Sequence, residues 1–359
     1  MALAPILLGP NQPTRFYRGG RGIARFRGTA FTSDYSPEDL VGSTTELADG
    51  GGLTVTGDGT TLRDAIAADP VSYLGPGHVA RFGDDLALLV KLLDTGERLV
   101  VHFHPGREFA GKYLHSWHGK TEAWIVTDVA EDPADDSSGH VYLGFREPVG
   151  MDMVRGWVDA QDNETLLGSL NKVALRPGDT CLVPAGVPHA IGKGITLVEV
   201  QEPTDFSILL EWGGFAIDGR AEGHLGLGFD LALRALDRSA WDHARLDALL
   251  RSRPYGPGHT EAGVRRLLPT GADDFFRVER VFAGAGAGAG AGVSFRPEVA
   301  VLVALNGQGR LSWADGTLPL SRGTTAFVPH GAGPTRIEGG VSLLRCMPPD
   351  PAELSGRQE

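Results

Sequence analysis

The chain has 359 residues, 42% of them hydrophobic and 22% charged, which is enough apolar material for two domains or one large β fold with an insertion. Its formal net charge of −12 argues against nucleic acid or an anionic membrane as a partner. Cys181 and Cys346 are too few for a disulfide framework or a cysteine-based zinc site. The opening lacks the pattern of a signal peptide and no later stretch approaches bilayer length, so we predict a cytoplasmic protein.

The first third of the chain reads as short strands and turns with one helix. Residues 1–60 are rich in glycine and threonine between short apolar pieces, and residues 61–68 have the pattern of a short helix. A continuous apolar run at 86–93 holds Lys91 and precedes the turn 94–96. This arrangement predicts a hairpin that leads into the next strand.

That next strand carries the strongest chemical signal. His102 and His104 stand two apart after an apolar run, so an extended strand directs both imidazoles to one face. Residues 96–108 read G-x5-H-x-H-x3-E, which ends at Glu108, and residues 178–189 read G-x5-P-x-G-x2-H, which ends at His189. Three imidazoles and a carboxylate are ligands suited to Zn, Fe, Mn, Co or Ni.

Two carboxylates compete for the fourth ligand position. Glu108 has the shorter spacing, but it lies in a segment after Pro105 that can form about two turns of helix. Glu122 lies on the predicted strand 120–126, on the same face as Lys120.

The second half separates into a helical segment and another β-rich region. Residues 229–253 have helical periodicity, with Ser239 and Asp242 as a capping pair for a second helix. Residues 283–292 alternate alanine and glycine, which favours an irregular connection. Residues 323–334 partly repeat the second glycine pattern, but Pro334 replaces its histidine.

The two glycine-framed patterns together resemble the paired motifs of the cupin superfamily. The pieces LLVKLLDTGERLVVHFHP, GKTEAW, PAGVPHAIGKG and LVEVQEPTD further resemble the class I phosphomannose isomerases, which are metal-dependent. The resemblance implies a mainly β fold of two jelly-roll-like cupin barrels with a short helical insertion and metal in the N-terminal barrel only. The predicted division is a metal-binding domain at 1–222, the insertion at 223–268 and a degenerate cupin domain at 269–359.

The resemblance also implies the residues of the site. The implied ligands of one divalent metal ion, zinc in the first instance, are His102, His104, Glu122 and His189, which favours Glu122 over Glu108. The implied active-site residues are Lys120, Lys91 and Asp205. From the residues alone, Lys120 has an equal interpretation as a charge partner of Glu122, and Asp205 as the cap of a turn.

The chain also departs from the family pattern. His102 replaces a glutamine ligand, Val100 replaces a serine, and Leu209, or Ile208 if the register slips by one, occupies the place of an arginine. An arginine offers a fixed fork of donors and a permanent charge to a phosphate, and an aliphatic side chain offers neither.

These features lead to a first hypothesis and two alternatives. The first is an aldose–ketose isomerase of the mannose-6-phosphate isomerase type, acting on a sugar or sugar phosphate, with a preference for a non-phosphorylated or altered sugar. The metal would stabilise an enediolate, and Lys120 would carry the proton between C1 and C2. The alternatives are a cupin oxidase or dioxygenase with a three-His, one-Glu Fe or Mn site, and a non-catalytic sugar-binding cupin. The sequence leaves the oligomeric state open.

Overall fold

A computed structural model describes residues 3–48, 50–251, 262–284 and 292–354. The described strands form four antiparallel sheets. The first sheet contains, in strand order, Leu250–Arg251, Thr180–Val183, Glu122–Val129, Ile195–Gln201, Leu89–Asp94 and Glu38–Val41. The second sheet contains, in strand order, Ile208–Leu209, His102–Phe103, His189–Ile191, His140–Phe145 and Leu170–Ala174. We call these the inner and the outer N-terminal sheet.

The other two sheets are built mostly from the C-terminal part of the chain. Their strands, again in order, are Ile6–Leu8, Thr325–Val328, Ala300–Asn306, Ser342–Met347, Arg277–Phe282 and Gly263–Arg266, and then Val293–Phe295, Thr335–Gly339, Gln308–Trp313 and Gly316–Ser321. We call these the inner and the outer C-terminal sheet. The mainly β prediction is confirmed.

The four sheets stack in layers, and three of the described apolar cores lie between them. Trp124 of the inner N-terminal sheet packs with Leu143 of the outer one, and Leu302 and Leu311 join the two C-terminal sheets in the same way. Ile125 and Val301 belong to a third core that joins the two inner sheets. Because successive side chains of a strand alternate between faces, a single strand can contribute to two of these cores.

The predicted barrels are not closed in this structure. Each of the four sheets is open, with its strand order ending on two edges within the described residues. Each half is therefore a pair of facing sheets, because the apolar residues of both faces are buried by sheet-on-sheet packing. The predicted domain limits at 222 and 268 stay a prediction.

Helices surround the sheets at several places in the chain. Their bounds are Gly22–Arg27, Leu62–Ala68, Pro70–Leu74, Pro76–Phe82, Arg107–Tyr113, Met151–Ala160, Asn163–Gly168, Gly219–Glu222, Phe229–Ala232, His243–Leu249 and Pro351–Leu354, with 3-10 turns at Leu233–Ala235, Thr270–Ala272 and His330–Ala332. The short helix predicted at 61–68 is confirmed, and Thr61 caps its first turn. No described helix has the length and hydropathy needed to cross a bilayer, and the cytoplasmic location stays a prediction.

The helical prediction for residues 229–253, with a second helix after Ser239, is correct in part, because the structure contains the helices Phe229–Ala232 and His243–Leu249. Phe229–Ala232 runs into a 3-10 turn and the chain becomes extended at Leu236, because the backbone N–H of Asp237 donates to the carbonyl of Gly186. The next helix is capped by Asp242, whose side chain accepts from the N–H of Arg245. Ser239 was predicted to begin this second helix, with Asp242 three residues later as its capping partner. That prediction is wrong, because the cap is Asp242 itself. The end predicted at Pro254, and residues 285–291 of the alanine–glycine run, lie outside the described residues.

Candidate metal centre and its cavity

Three imidazoles meet on the inner face of the outer N-terminal sheet. His102 and His189 lie directly opposite each other on paired strands, and His104 follows two residues after His102. The ring centroids of His102 and His189 are 4.3 Å apart, and His104 lies 5.0 Å from the first ring and 4.9 Å from the second. One potential ligand atom from each ring lies within 4.8 Å of the others, and among the described residues this is the one such group of three.

Backbone carbonyls orient all three rings. The Nδ1 atom of His102 lies 2.9 Å from the carbonyl oxygen of Val100, which precedes it on the same chain segment. His104 Nδ1 lies 2.7 Å from the Phe206 oxygen, and His189 Nδ1 lies 2.9 Å from the Val187 oxygen. Because a carbonyl only accepts, each Nδ1 carries the proton and donates, which leaves the lone pair of each neutral ring on Nε2. This is the tautomer that a metal ligand needs.

Glu122 faces these rings from the inner N-terminal sheet. Its Oε2 atom lies 3.0 Å from His104 Nε2 and its Oε1 atom lies 3.3 Å from His189 Nε2. The indole N–H of Trp124 donates to Oε1 at 3.0 Å and fixes the carboxylate. Glu108, by contrast, lies exposed in the helix Arg107–Tyr113.

The donor set fits a cation. The imidazole lone pairs and the Glu122 carboxylate oxygens are all acceptors, and a buried cluster of acceptors is unfavourable unless a positive charge lies among them. Glu122 Oε2 and His189 Nε2 are buried polar atoms without a hydrogen-bond partner. His102, His104, Glu122 and His189 are therefore the described residues that could hold a divalent metal ion.

Burial keeps the imidazoles of His102 and His104 neutral. It lowers the pKa of His102 well below its ordinary value, with further contributions from His189 and His104. It lowers the pKa of His104 to about 3, with a further contribution from Lys120. Burial acts in the opposite direction on Glu122, but the charge of Lys120 and the contact with His104 hold the pKa of that carboxyl well below its usual range. At neutral pH the rings of His102 and His104 are therefore neutral and Glu122 is a carboxylate.

Lys120 lies beside this cluster. Its Nζ atom is 3.1 Å from His104 Nε2 and 3.3 Å from Glu122 Oε2, and the side chain is almost wholly buried. It opens onto the same cavity as the cluster. Both interpretations made from the sequence, a proton carrier and a charge partner of Glu122, agree with this position.

The cavity has a volume of about 590 Å³, and a chain of alternating charges follows its wall. Lys91 Nζ lies 3.5 Å from Glu38 and 3.7 Å from Glu199, and the Tyr17 hydroxyl donates to Glu38. Arg15 Nε lies 3.3 Å from the other Glu38 oxygen. The ammonium of Lys91 is thus held between two buried carboxylates.

These contacts and burial shift the pKa values of Lys91, Glu38 and Glu199. Although burial alone opposes it, the two carboxylates raise the pKa of Lys91, so the side chain stays cationic. Burial is likewise outweighed at Glu38, where Arg15 and Lys91 lower the pKa to about 2. At Glu199, burial and the Glu122 charge raise the pKa to about 7.

Asp205 lies on the same cavity with Arg15 as its partner. The carboxylate receives two hydrogen bonds from the guanidinium, from Nη2 at 3.0 Å and from Nη1 at 3.3 Å. Asp205 therefore does not act as a turn cap alone. Lys120, Lys91 and Asp205 all line the one cavity.

Sequence reasoning missed Arg15, Tyr17, Glu38 and Glu199. Glu199 interrupts the buried apolar strand Ile195–Gln201, and a charge in such a run was a signal that could have revealed it. Arg15 and Tyr17 come from an irregular segment near the start of the chain, where no local pattern points toward residue 205.

The structure also locates the departures from the family pattern. Val100 and Leu209 both line the cavity, whereas Ile208 is buried in the core between the outer N-terminal sheet and the helices. Leu209 therefore has the register that faces the site, and the wall there is aliphatic.

The layered sheets and the buried imidazole–carboxylate cluster define a mainly β protein with a candidate metal centre. No family model matches the sequence. Over 261 residues the chain is 26% identical to the mannose-6-phosphate isomerase ManA of Bacillus subtilis, which covers 72% of this chain and 73% of that protein. It is 34% identical to the mannose-6-phosphate isomerase of Streptococcus mutans over 38% of this chain and 41% of that one.

Solved structures show the same fold. The crystal structure of mannose 6-phosphate isomerase from Bacillus subtilis matches with a TM-score of 0.69 at 20% identity, over 96% of this chain and 99% of the other. A variant of phosphomannose isomerase from Salmonella typhimurium matches with a TM-score of 0.69 at 17% identity, over 97% and 100%. The chain is thus similar to the mannose-6-phosphate isomerases in sequence over most of its length, as a divergent relative, and similar to their solved structures in fold. The class of activity that these relatives indicate is isomerisation.

Proposed function

We propose that this chain is a metal-dependent aldose–ketose isomerase that moves a proton between C1 and C2 of a sugar. The observation that supports it best is the cluster of three imidazoles with ligand atoms within 4.8 Å of one another. Glu122 contacts two of these rings, and Lys120 Nζ lies 3.1 Å from His104 Nε2. The relatives named as mannose-6-phosphate isomerases support the same reaction class.

The proposed roles follow from the contacts. A divalent cation, with zinc as the first candidate, would polarise the oxygens on C1 and C2 of the open-chain sugar and stabilise the enediolate, an effect worth several kcal/mol. The imidazoles and Glu122 would hold it, with their orientation fixed by backbone carbonyls and by Trp124.

Lys120 is the proposed proton carrier. Its Nζ atom lies beside the ligand cluster and opens onto the cavity, so it could take a proton from one carbon of the sugar and return it to the other. Lys91 has a different proposed role, because the carboxylates of Glu38 and Glu199 keep its side chain cationic. We propose that Lys91 binds a sugar hydroxyl as a donor.

We further propose that a free sugar is a better substrate than its 6-phosphate. Leu209 and Val100 contribute aliphatic surface where the family pattern has an arginine and a serine. A phosphate there would lose the bidentate donors and fixed charge that it requires.

The test combines elemental analysis of the purified protein with a panel of free and phosphorylated sugars, assayed under nitrogen after reconstitution with Zn, Mn, Co, Ni or Fe. Interconversion of an aldose and its ketose without oxygen, abolished by a chelator, supports the proposal. Absence of interconversion with every metal refutes it.

The same panel separates the alternative that a three-His, one-Glu shell also favours. His102 gives this chain three nitrogen ligands, a set also used with Fe or Mn in oxygen-dependent cupins. Oxygen uptake with bound Fe or Mn would identify an oxidase or dioxygenase. A sugar that raises the melting temperature and is never converted would identify a binding protein.

A further inference from the structure

Arg15 supplies a guanidinium to the cavity from a part of the chain remote from the metal centre motifs. The segment around it is held by the hydrogen bond from the Arg15 N–H to the Tyr35 carbonyl. The side chain is mostly buried, with 13% of its surface exposed, and it lines the same cavity as His102 and Lys120. Its position is thus fixed at both ends.

The contacts of Arg15 leave donors available to a ligand. A guanidinium carries five N–H groups, one on Nε and two on each Nη. Nη1 and Nη2 each use one on Asp205, and Nε faces Glu38 at 3.3 Å. One N–H therefore remains on each Nη atom beside the Asp205 carboxylate, which is an acceptor.

This pairing suits a hydroxyl better than a phosphate. A hydroxyl both accepts from a guanidinium and donates to a carboxylate, so a sugar hydroxyl can use both partners at once. A phosphate dianion can only accept, and next to Asp205 it meets a like charge. The other cations of the cavity are matched in the same way, Lys91 by Glu38 and Glu199 and Lys120 by Glu122.

We propose that the Arg15–Asp205 pair is a specificity determinant that binds the hydroxyls of an uncharged sugar and disfavours a phosphorylated one. The inference deepens the proposed isomerase function and rests on it for the identity of the ligand class. It adds that the negative charge of Asp205 discriminates against the phosphorylated sugar, together with the aliphatic side chain of Leu209.

The experiment measures binding by isothermal titration calorimetry on the zinc-loaded protein, with D-mannose, D-fructose and the 6-phosphate of each as probes. For wild type we expect the free sugars to bind more tightly than the phosphates. In Asp205→Asn the Arg15 guanidinium keeps Glu38 but loses the carboxylate beside its Nη atoms, so the phosphate-to-free affinity ratio should rise about tenfold or more. In Arg15→Lys, which keeps the charge and loses the fork, free-sugar affinity should fall about tenfold.

Matched controls come from the exposed helix pair Arg155 and Asp159, which are 2.8 Å apart. Asp159→Asn and Arg155→Lys should leave all four affinities unchanged. A ratio in a folded Asp205→Asn that stays within twofold of wild type overturns the inference. If that variant does not fold, an unchanged free-sugar affinity in Arg15→Lys overturns it instead.

Failure of the inference is distinguishable from failure of the proposed function. Wild-type protein that interconverts sugars but binds the phosphates more tightly refutes the specificity role and leaves the isomerase intact. Wild-type protein that binds free sugars in the expected order but never interconverts them refutes the isomerase and supports the specificity role.

Discussion

Replacement of Glu38 by glutamine tests the buried charge chain of the cavity wall. Glu38→Gln keeps the shape of the side chain and removes the charge that faces Arg15 and Lys91 and accepts from Tyr17. Truncating one partner of a buried ion pair costs about 3–5 kcal/mol, because the remaining charges are left uncompensated. We therefore expect Glu38→Gln to lower the free energy of unfolding by about 3–5 kcal/mol at pH 7.

The pH dependence gives the prediction its sign. The Glu38 pKa falls from 4.5 when unfolded to about 2 when folded. A depressed carboxyl pKa stabilises the fold above the unfolded value, and the stabilisation is lost as pH falls through the folded value. A shift of this size corresponds to about 3 kcal/mol at pH 7, of which roughly 1–1.5 kcal/mol remains at pH 3.

The assay is urea denaturation of wild type and Glu38→Gln at pH 7 and pH 3, with EDTA in every sample so that metal binding does not vary. The difference in unfolding free energy should shrink by about 2 kcal/mol at the lower pH. The matched control is Glu46→Gln, whose exposed pair with Arg63 should contribute less than about 1 kcal/mol at either pH. A difference between wild type and Glu38→Gln that is the same at both pH values would refute the reasoning.

Three further predictions concern the metal centre. Glu122→Gln should weaken zinc binding at least about a hundredfold, whereas Glu108→Gln should leave it unchanged, as measured by competition with a chromophoric chelator; equal losses would contradict the ligand assignment. Trp124→Phe removes the N–H that fixes Glu122 and should weaken zinc binding about tenfold to a hundredfold, and an unchanged affinity would show that the indole contact is dispensable. Lys120→Met should lower kcat at least about a hundredfold while zinc affinity is retained, and near-normal turnover would exclude Lys120 as the proton carrier.

The convergence of the three imidazoles could be predicted because local rules determine most of it. His102 and His104 share a face through strand alternation, and the glycine–proline pattern ends at His189 in a turn where Gly186 has a φ of +88°. The one contact between distant parts of the sequence that the cluster needs is the pairing of His102 with His189 on neighbouring strands. The choice of Glu122 over Glu108 came from the family resemblance, and the structure gives Glu122 the position beside the rings.

The remainder of the cavity depends on contacts that no local pattern encodes. Arg15 and Asp205 are 190 positions apart, and neither lies in a periodic segment. The stacking of the sheets could not be predicted from the sequence either. The strand Glu122–Val129 buries apolar side chains on both faces, and a continuous apolar run does not show which core each face joins. The helical periodicity at 229–253 was real, but hydrogen bonding to the Gly186 turn interrupts the helix.

The pairing of Ile6–Leu8 with Thr325–Val328 bears on the order in which the molecule can be completed. During synthesis the earlier strand emerges 317 residues before the later one, so Ile6–Leu8 has no partner strand until late in synthesis. Contacts this remote in sequence slow folding and leave a strand edge open to other chains. Nascent protein should therefore be most prone to aggregation just before Thr325–Val328 emerges, and its yield should depend on chaperones.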